Sequence, residues 1–221
     1  DAQYGVPFLG STDILDADLA HLELLSKRQV AQAPALVVKA GWTLITCSGT
    51  IGRMAYARAE MNGMAGSQHF MRVVPDPDEI RPGYLFAFLS SRFGVPLVVG
   101  GTYGAIIQHI EPPHLTDLPV PIAPKRIQDA AHALVVEAAD LRTKASAELK
   151  AVIQAIEKAA GLPALDRRYD GESPDVSVVK AGALRGRMDG LFHSNSHRSV
   201  LGPLLTLPSG RRSTVRDLAT R

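Results

Sequence analysis

The spacing of apolar positions changes period several times along the chain, and each change marks an element. YGVPFLGSTDI at 4–14 mixes apolar and turn residues and predicts a short strand followed by a polar turn. Ala35-Leu36-Val37-Val38 leads through Lys39-Ala40-Gly41 into a two-residue alternation, with Trp42, Leu44 and Thr46 opposite Thr43, Ile45 and Cys47. Glycine bounds that run at each end, which predicts a strand. Met54-Ala55-Tyr56-Ala57 predicts its return strand, making 42–57 a hairpin-like unit. HFMRVVPD at 69–76 predicts another strand, closed by Pro75 and Pro77.

The period then lengthens. GYLFAFLSSRFG at 83–94 sets Leu85, Phe88, Leu89 and Phe93 on one side of a helix that Gly94 and Pro96 are expected to end. Three prolines from 119 to 124 forbid a helix there and suit an extended edge or polyproline-like exit. From Lys125 to Ala160 there is neither Gly nor Pro, with Pro124 in position for the first turn and Gly161 for the stop. Ile127, Ala131, Leu134, Ala138, Leu141, Ala145, Leu149, Val152 and Ile156 recur at steps of three and four, a heptad seam with one stutter after Ala145. At about 1.5 Å per residue this helix is roughly 54 Å long, and its apolar seam calls for a second helix as partner. Residues 163–183 are polar and proline-bearing and read as a linker, and a further unit is expected to begin near 184.

Composition narrows the class. Of 221 residues, 46% are hydrophobic, enough for a substantial core, while aromatics at 5% argue against aromatic stacking platforms. A single cysteine excludes an internal disulfide and a cysteine-rich zinc site and fits a reducing, cytoplasmic setting. There is no run of eighteen apolar residues, so no membrane span is expected, and the start does not resemble a signal peptide. The chain opens on Asp and stops at Thr220-Arg221, and both ends are expected to have been cut from something longer. The net charge of +2 is uneven: residues 1–124 hold 8 basic against 11 acidic groups, and residues 163–221 hold 10 against 6. A nucleic-acid partner is allowed by these totals but would depend on a local patch.

No catalytic constellation stands out. CSGTIGRM at 47–54 lacks the lysine and following helix of a phosphate loop, and nothing ties His69 or His109 to Cys47 as a base. Cys47 reads as a structural thiol, and the glycines as a tight turn between strands. His193 and His197 are four apart without a third ligand, so no metal is expected. The polar set that remains suggests contact rather than turnover: Ser48, Thr50, Arg53 and Arg58 on the hairpin, Ser67, Gln68, His69 and Arg72 before and within the next strand, and Thr102, Tyr103, Gln108 and His109 on a Gly-rich segment. Such side chains grip phosphate oxygens and read base edges. Gly49, Gly52, Gly66, Gly101 and Gly104 are expected to shape the turns beside them.

The order GWTLITCSGTIGR at 41–53, GSQHFMRVVP at 66–75, GYLFAFLSS at 83–91, GGTYGAIIQHI at 100–110 and LTDLPVPIAP at 115–124, followed at once by a long helix, resembles the specificity subunits of type I restriction–modification systems. The resemblance implies an α/β (α+β) target recognition domain over 1–122, a spacer helix over 125–161 that forms a coiled coil, and a second, truncated recognition domain opening with LRGRMDGLFH, over 184–221. It implies a non-catalytic chain that reads one half of a split double-stranded DNA target. Its partners would be modification subunits that carry S-adenosylmethionine, restriction subunits, and a second spacer helix from the same full-length chain or from another copy. Two readings stand beside it: a protein-interaction module that oligomerises through its helix, and the recognition region of a single-chain restriction–methyltransferase.

Overall fold

The computed structural model describes residues 3–48, 50–102, 109–161, 178–182, 190, 194–208, 213 and 218. Six strands are present among them: β1 (Gly5–Leu9), β2 (Leu24–Ser26), β3 (Thr43–Thr46), β4 (Met54–Tyr56), β5 (Ala65–Gly66) and β6 (Phe70–Val73). The helices are α1 (Lys27–Gln32), α2 (Pro82–Leu89), α3 (Gly94–Val99), α4 (Pro112–Thr116), α5 (Lys125–Ala160) and α6 (Asn195–Thr206). The chain divides into two compact units, Asp1–Leu149 and Lys150–Arg221.

In the first unit the strands form two small sheets, ordered β2-β1-β5 and β4-β3-β6. The alternation at 42–47 produces β3, which pairs antiparallel with β4 (Thr43 opposite Tyr56) and with β6 (Leu44 opposite Arg72). All four β3 residues are buried. Successive side chains point to opposite faces, so Leu44 joins a core with Leu9, Ile14, Val38, Met61 and Phe70, while Ile45 joins another with Leu85, Leu89, Val98 and Ile110. Strand β3 is thus the partition between the two cores. That is why a short alternating run with no polar face organises the domain.

The helix expected over 83–94 divides in two. Strong apolar periodicity ends at Leu89, and the Ser91 hydroxyl accepts the N–H groups of Phe93 and Gly94 at 3.2 Å each. Gly94 therefore opens α3 instead of ending α2, and Phe93 is left 63% exposed rather than in the core. Pro96 was expected to stop a helix; it lies in the first turn of α3, where a missing N–H costs no intrahelical bond.

Residues 119–124 carry no helix, and α5 then runs unbroken from Lys125 to Ala160. Pro124 contributes its carbonyl to Ile127 N–H (2.8 Å) and Gln128 N–H (3.2 Å), so it stands just outside the first turn. Gly161, at φ 67°, ends the helix with its N–H on the Lys158 carbonyl. Only Gln128 and Ala139 are buried on α5. The seam is largely wet: Ile127, Leu134, Leu141, Leu149, Val152 and Ile156 are each 46–67% exposed, Ala138 and Ala145 are exposed, and Ala131 is half-buried. In the second unit, α6 is capped by Ser194, whose hydroxyl accepts His197 N–H at 3.1 Å. The expected opening of a second recognition domain at 184–193 lies almost wholly outside the described residues.

Candidate nucleic-acid interface

The turn after β3 is shaped from within by Thr46. Its backbone N–H donates to the Arg53 carbonyl at 2.9 Å and its carbonyl accepts from Gly52 N–H at 2.9 Å. Its buried hydroxyl accepts Arg53 N–H at 3.0 Å and donates to the Thr50 carbonyl. Gly52 has φ +76°, and a Cβ there would lie 2.6 Å from Val99 Cγ2. Glycine is needed twice over: for the left-handed backbone and for the close approach of α3. Thr50 and Arg53 are exposed at the tip.

Three segments distant in sequence meet beside this turn. Cys47 N–H donates to the His69 carbonyl at 3.0 Å, Ile110 N–H donates to the Cys47 carbonyl at 3.3 Å, and Ser48 forms a bridge with His109. The backbone at 47–48 thus lies between the 67–69 and 109–110 segments. Gln68 and His69 are exposed, and Ser48, Thr102 and His109 are half-buried. Tyr103, Gln108, Gly49 and Gly104 lie outside the described residues.

Three sequence candidates have internal roles instead. Arg58 is 3% exposed; its guanidinium donates to the Asp16 and Ala17 carbonyls at 3.0 and 3.3 Å and pairs with Glu60 at 2.6 Å. It clamps the 13–17 turn to the sheet, with its guanidinium directed inward. Arg72 lies 4.7 Å over the Phe70 ring and donates to the Leu36, Ser67 and Phe70 carbonyls at 3.1–3.4 Å. Burial lowers its pKa, and a nearby Cys47 thiolate would raise it. Ser67 is 7% exposed, and its hydroxyl accepts His69 N–H at 3.0 Å, fixing the turn that lifts His69 outward. Sequence spacing could not reveal this, because an arginine beside a turn reads alike whether it points outward or caps carbonyls inward.

Two glycines expected at turns serve close packing. Gly66 is in β5, where a Cβ would lie 2.3 Å from Phe70 Cζ and 2.5 Å from Arg72 Nη2. A Cβ on Gly101 would overlap the His114 ring at 2.1 Å.

Burial raises the Cys47 thiol pKa; its own backbone hydrogen bonding lowers it, Glu111 raises it and Arg72 lowers it. Its Sγ donates weakly to the Gln68 carbonyl at 3.5 Å. A thiol held protonated suits structure rather than nucleophilic attack. Beside β6 lies an apolar groove of about 590 Å³, lined by Phe70, Met71, Val73, Leu89, Leu115 and Val120 among others, with Gln68, Arg72 and Thr116 at its polar positions. Asp13, Asp16 and His21 form the one group among the described residues with ligand atoms close enough for a shared ion, and all three are at least partly exposed. Among the described residues no helix is long and apolar enough to cross a membrane.

No protein-family model and no curated protein matches the chain. Among solved structures it is similar to the type I restriction–modification system S subunit from M. genitalium, at 17% identity and a TM-score of 0.47, covering 70% of this chain and 37% of that one. It is also similar to a chain of the type I R-M system studied for complex assembly and conformational transition, at 13% and 0.46, covering 80% and 46%. The HsdS subunit from Thermoanaerobacter tengcongensis gives 15% and 0.43, covering 77% and 45%. The chain spans less than half the length of each, and the likeness is a coarse one: an α+β domain followed by a long helix.

Proposed function

We propose that this chain reads one half of a bipartite double-stranded DNA target as the specificity component of a type I restriction–modification complex. The observation that carries the reading is the meeting of the polar 47–48, 69 and 109–110 segments, in a compact α+β domain that α5 leaves as an unbroken helix of 36 residues with its apolar seam exposed. Leaving that stripe in water forfeits roughly 25 cal/mol per Å² of apolar surface, which pairing with a second helix would recover. The motif order described from sequence supports the same reading.

With Arg58 and Arg72 engaged internally, direct readout falls to Ser48, Thr50, Gln68, His69 and His109, and phosphate attraction to Arg53. Hydrogen-bonding side chains on rigid turns can discriminate bases without a large positive field. The chain performs no chemistry in this scheme. Modification subunits bring S-adenosylmethionine and the methyl transfer, restriction subunits bring cleavage, and the complex acts in the cytoplasm. A 54 Å strut corresponds to about sixteen base pairs, enough to hold two readers apart.

Selection from a random duplex pool by the full-length protein assembled with its modification subunits tests this directly. Enrichment of two short constant blocks at a fixed separation is expected, and recovery of an unenriched pool refutes it. The apolar groove beside β6 favours a second reading, a protein-interaction module; capture of a peptide ligand in that groove, with no duplex enriched, would establish it.

A further inference from the structure

Helix α5 is hydrogen-bonded to the domain at the start of α2. Gln128, 4% exposed, accepts Arg81 N–H at 3.1 Å through Oε1 and donates through Nε2 to the Ala123 carbonyl at 2.8 Å. Asp129 takes the Arg81 Nε at 2.6 Å. One turn further on, His132 Nδ1 accepts Gly83 N–H at 3.0 Å. Arg81 precedes α2 and Gly83 is its second residue, so α5 side chains take up N–H groups that the first turn of α2 cannot satisfy internally. A Cβ on Gly83 would lie 2.8 Å from His132 Cα and 3.0 Å from its carbonyl oxygen, backbone atoms that can give way only if the helix itself shifts.

The two kinds of contact do different work. Gly83 sets how closely the helices approach. The directed hydrogen bonds to Gln128 and His132 set rotation and register, since a slip of one residue turns α5 by about 100° and breaks them all. Apolar burial cannot supply that directionality, and Ala139 is the only buried apolar side chain on α5. We propose that Gly83, Gln128 and His132 are positioning residues that fix the aim of the strut relative to the reader, and thereby the separation between the two half-sites. The second clause rests on the DNA-reading assignment; the first does not.

Ordinary contact between carbon atoms needs about 3.5–4.0 Å, so Gly83→Ala must push α5 away by about 1 Å at residue 132. With Gln128 as pivot one turn below, that shift tilts the helix by roughly 10° and moves position 148 by about 5 Å. Spin labels at two exposed sites of the first unit, Gln29→Cys and Glu148→Cys, read this in a Cys47→Ser background of the full chain, diluted with unlabelled protein. Gly83→Ala is expected to shift the mean label distance by about that amount; Gln128→Ala and His132→Ala are expected to broaden the distribution, and they carry the test should Gly83→Ala not fold. A folded set of variants with the parental distribution overturns the lock. In cells, a shifted label distance should accompany a changed separation between methylated half-sites. An unchanged separation overturns the link to target spacing. The distance measurement needs no DNA, so failure of the lock and failure of DNA reading are distinguishable.

Discussion

Replacing Gly52 by alanine tests how the recognition turn is held. Two costs add. A left-handed backbone on a residue with a Cβ costs about 1–2 kcal/mol, and Gly52 sits at φ +76°. The new methyl would also lie 2.6 Å from Val99 Cγ2, an overlap whose relief costs about 1–3 kcal/mol. The expected destabilisation is therefore about 3 kcal/mol. Val99→Ala removes the opposing methyls and by itself should cost about 1 kcal/mol, because Val99 is only half-buried. Combined, the two changes should relieve the collision but not the backbone strain, so the double variant should be more stable than the sum of the single effects by about 1–2 kcal/mol. Urea unfolding followed by Trp42 fluorescence measures this. Trp42 is the chain's one tryptophan and packs against the core of the first unit. Additivity within about 0.5 kcal/mol would refute the claim that α3 presses on the turn.

Other consequences are equally open to measurement. Arg58→Met should cost about 3 kcal/mol by leaving Glu60 and the Asp16 and Ala17 carbonyls without their cation; weaker DNA binding at unchanged stability would restore Arg58 to the interface. Arg53→Ala should leave stability within about 0.5 kcal/mol and reduce the salt slope of DNA binding by about one; an unchanged slope removes it from the footprint. Burial raises the Cys47 and Tyr56 pKa values, with Asp140 adding to the rise at Tyr56, so the folded chain holds both protons more tightly than the unfolded one. Their stabilising contribution is full below the ordinary thiol and phenol ranges and is lost as pH rises through the raised values; melting curves from pH 7 to about 11 should fall, less steeply in Cys47→Ala, and an identical fall in both proteins would contradict this. Leu141→Glu with Leu149→Glu should abolish the proposed pairing of α5 with a second helix in sedimentation analysis while moving the melting temperature of the first unit by no more than about 2 °C, both side chains being exposed; intact pairing would relocate the seam.

What could be read from the sequence was whatever depends on local pattern. The β3 alternation, the β4 return and the bounds of α5 follow from period and from the placement of Gly and Pro, and the structure forms each of them. The split at Gly94 was hidden because its cause is a hydroxyl, Ser91, turning back on two N–H groups. Strand β2 and the parallel β1–β5 pairing were equally hidden, since short strands carry too few residues to show a period. At the candidate site the structure brings the 47–48, 69 and 109–110 segments together, but the sequence could not give the orientation of the side chains near them. Arg53 and Arg58 flank the same hairpin; one is exposed, while the other is committed to carbonyls more than forty residues away in sequence. Gln128 and His132 carried no signal at all, because a polar residue on a long helix ordinarily faces water.

Methylome sequencing of the native host, with and without the full-length gene encoding this chain, bears most directly on whether the domain is a DNA reader on a strut. One bipartite methylation pattern, two short blocks at constant separation, should vanish on deletion and return on complementation. A methylome unaltered by deletion in cells shown to express the protein together with its modification subunits would contradict the account.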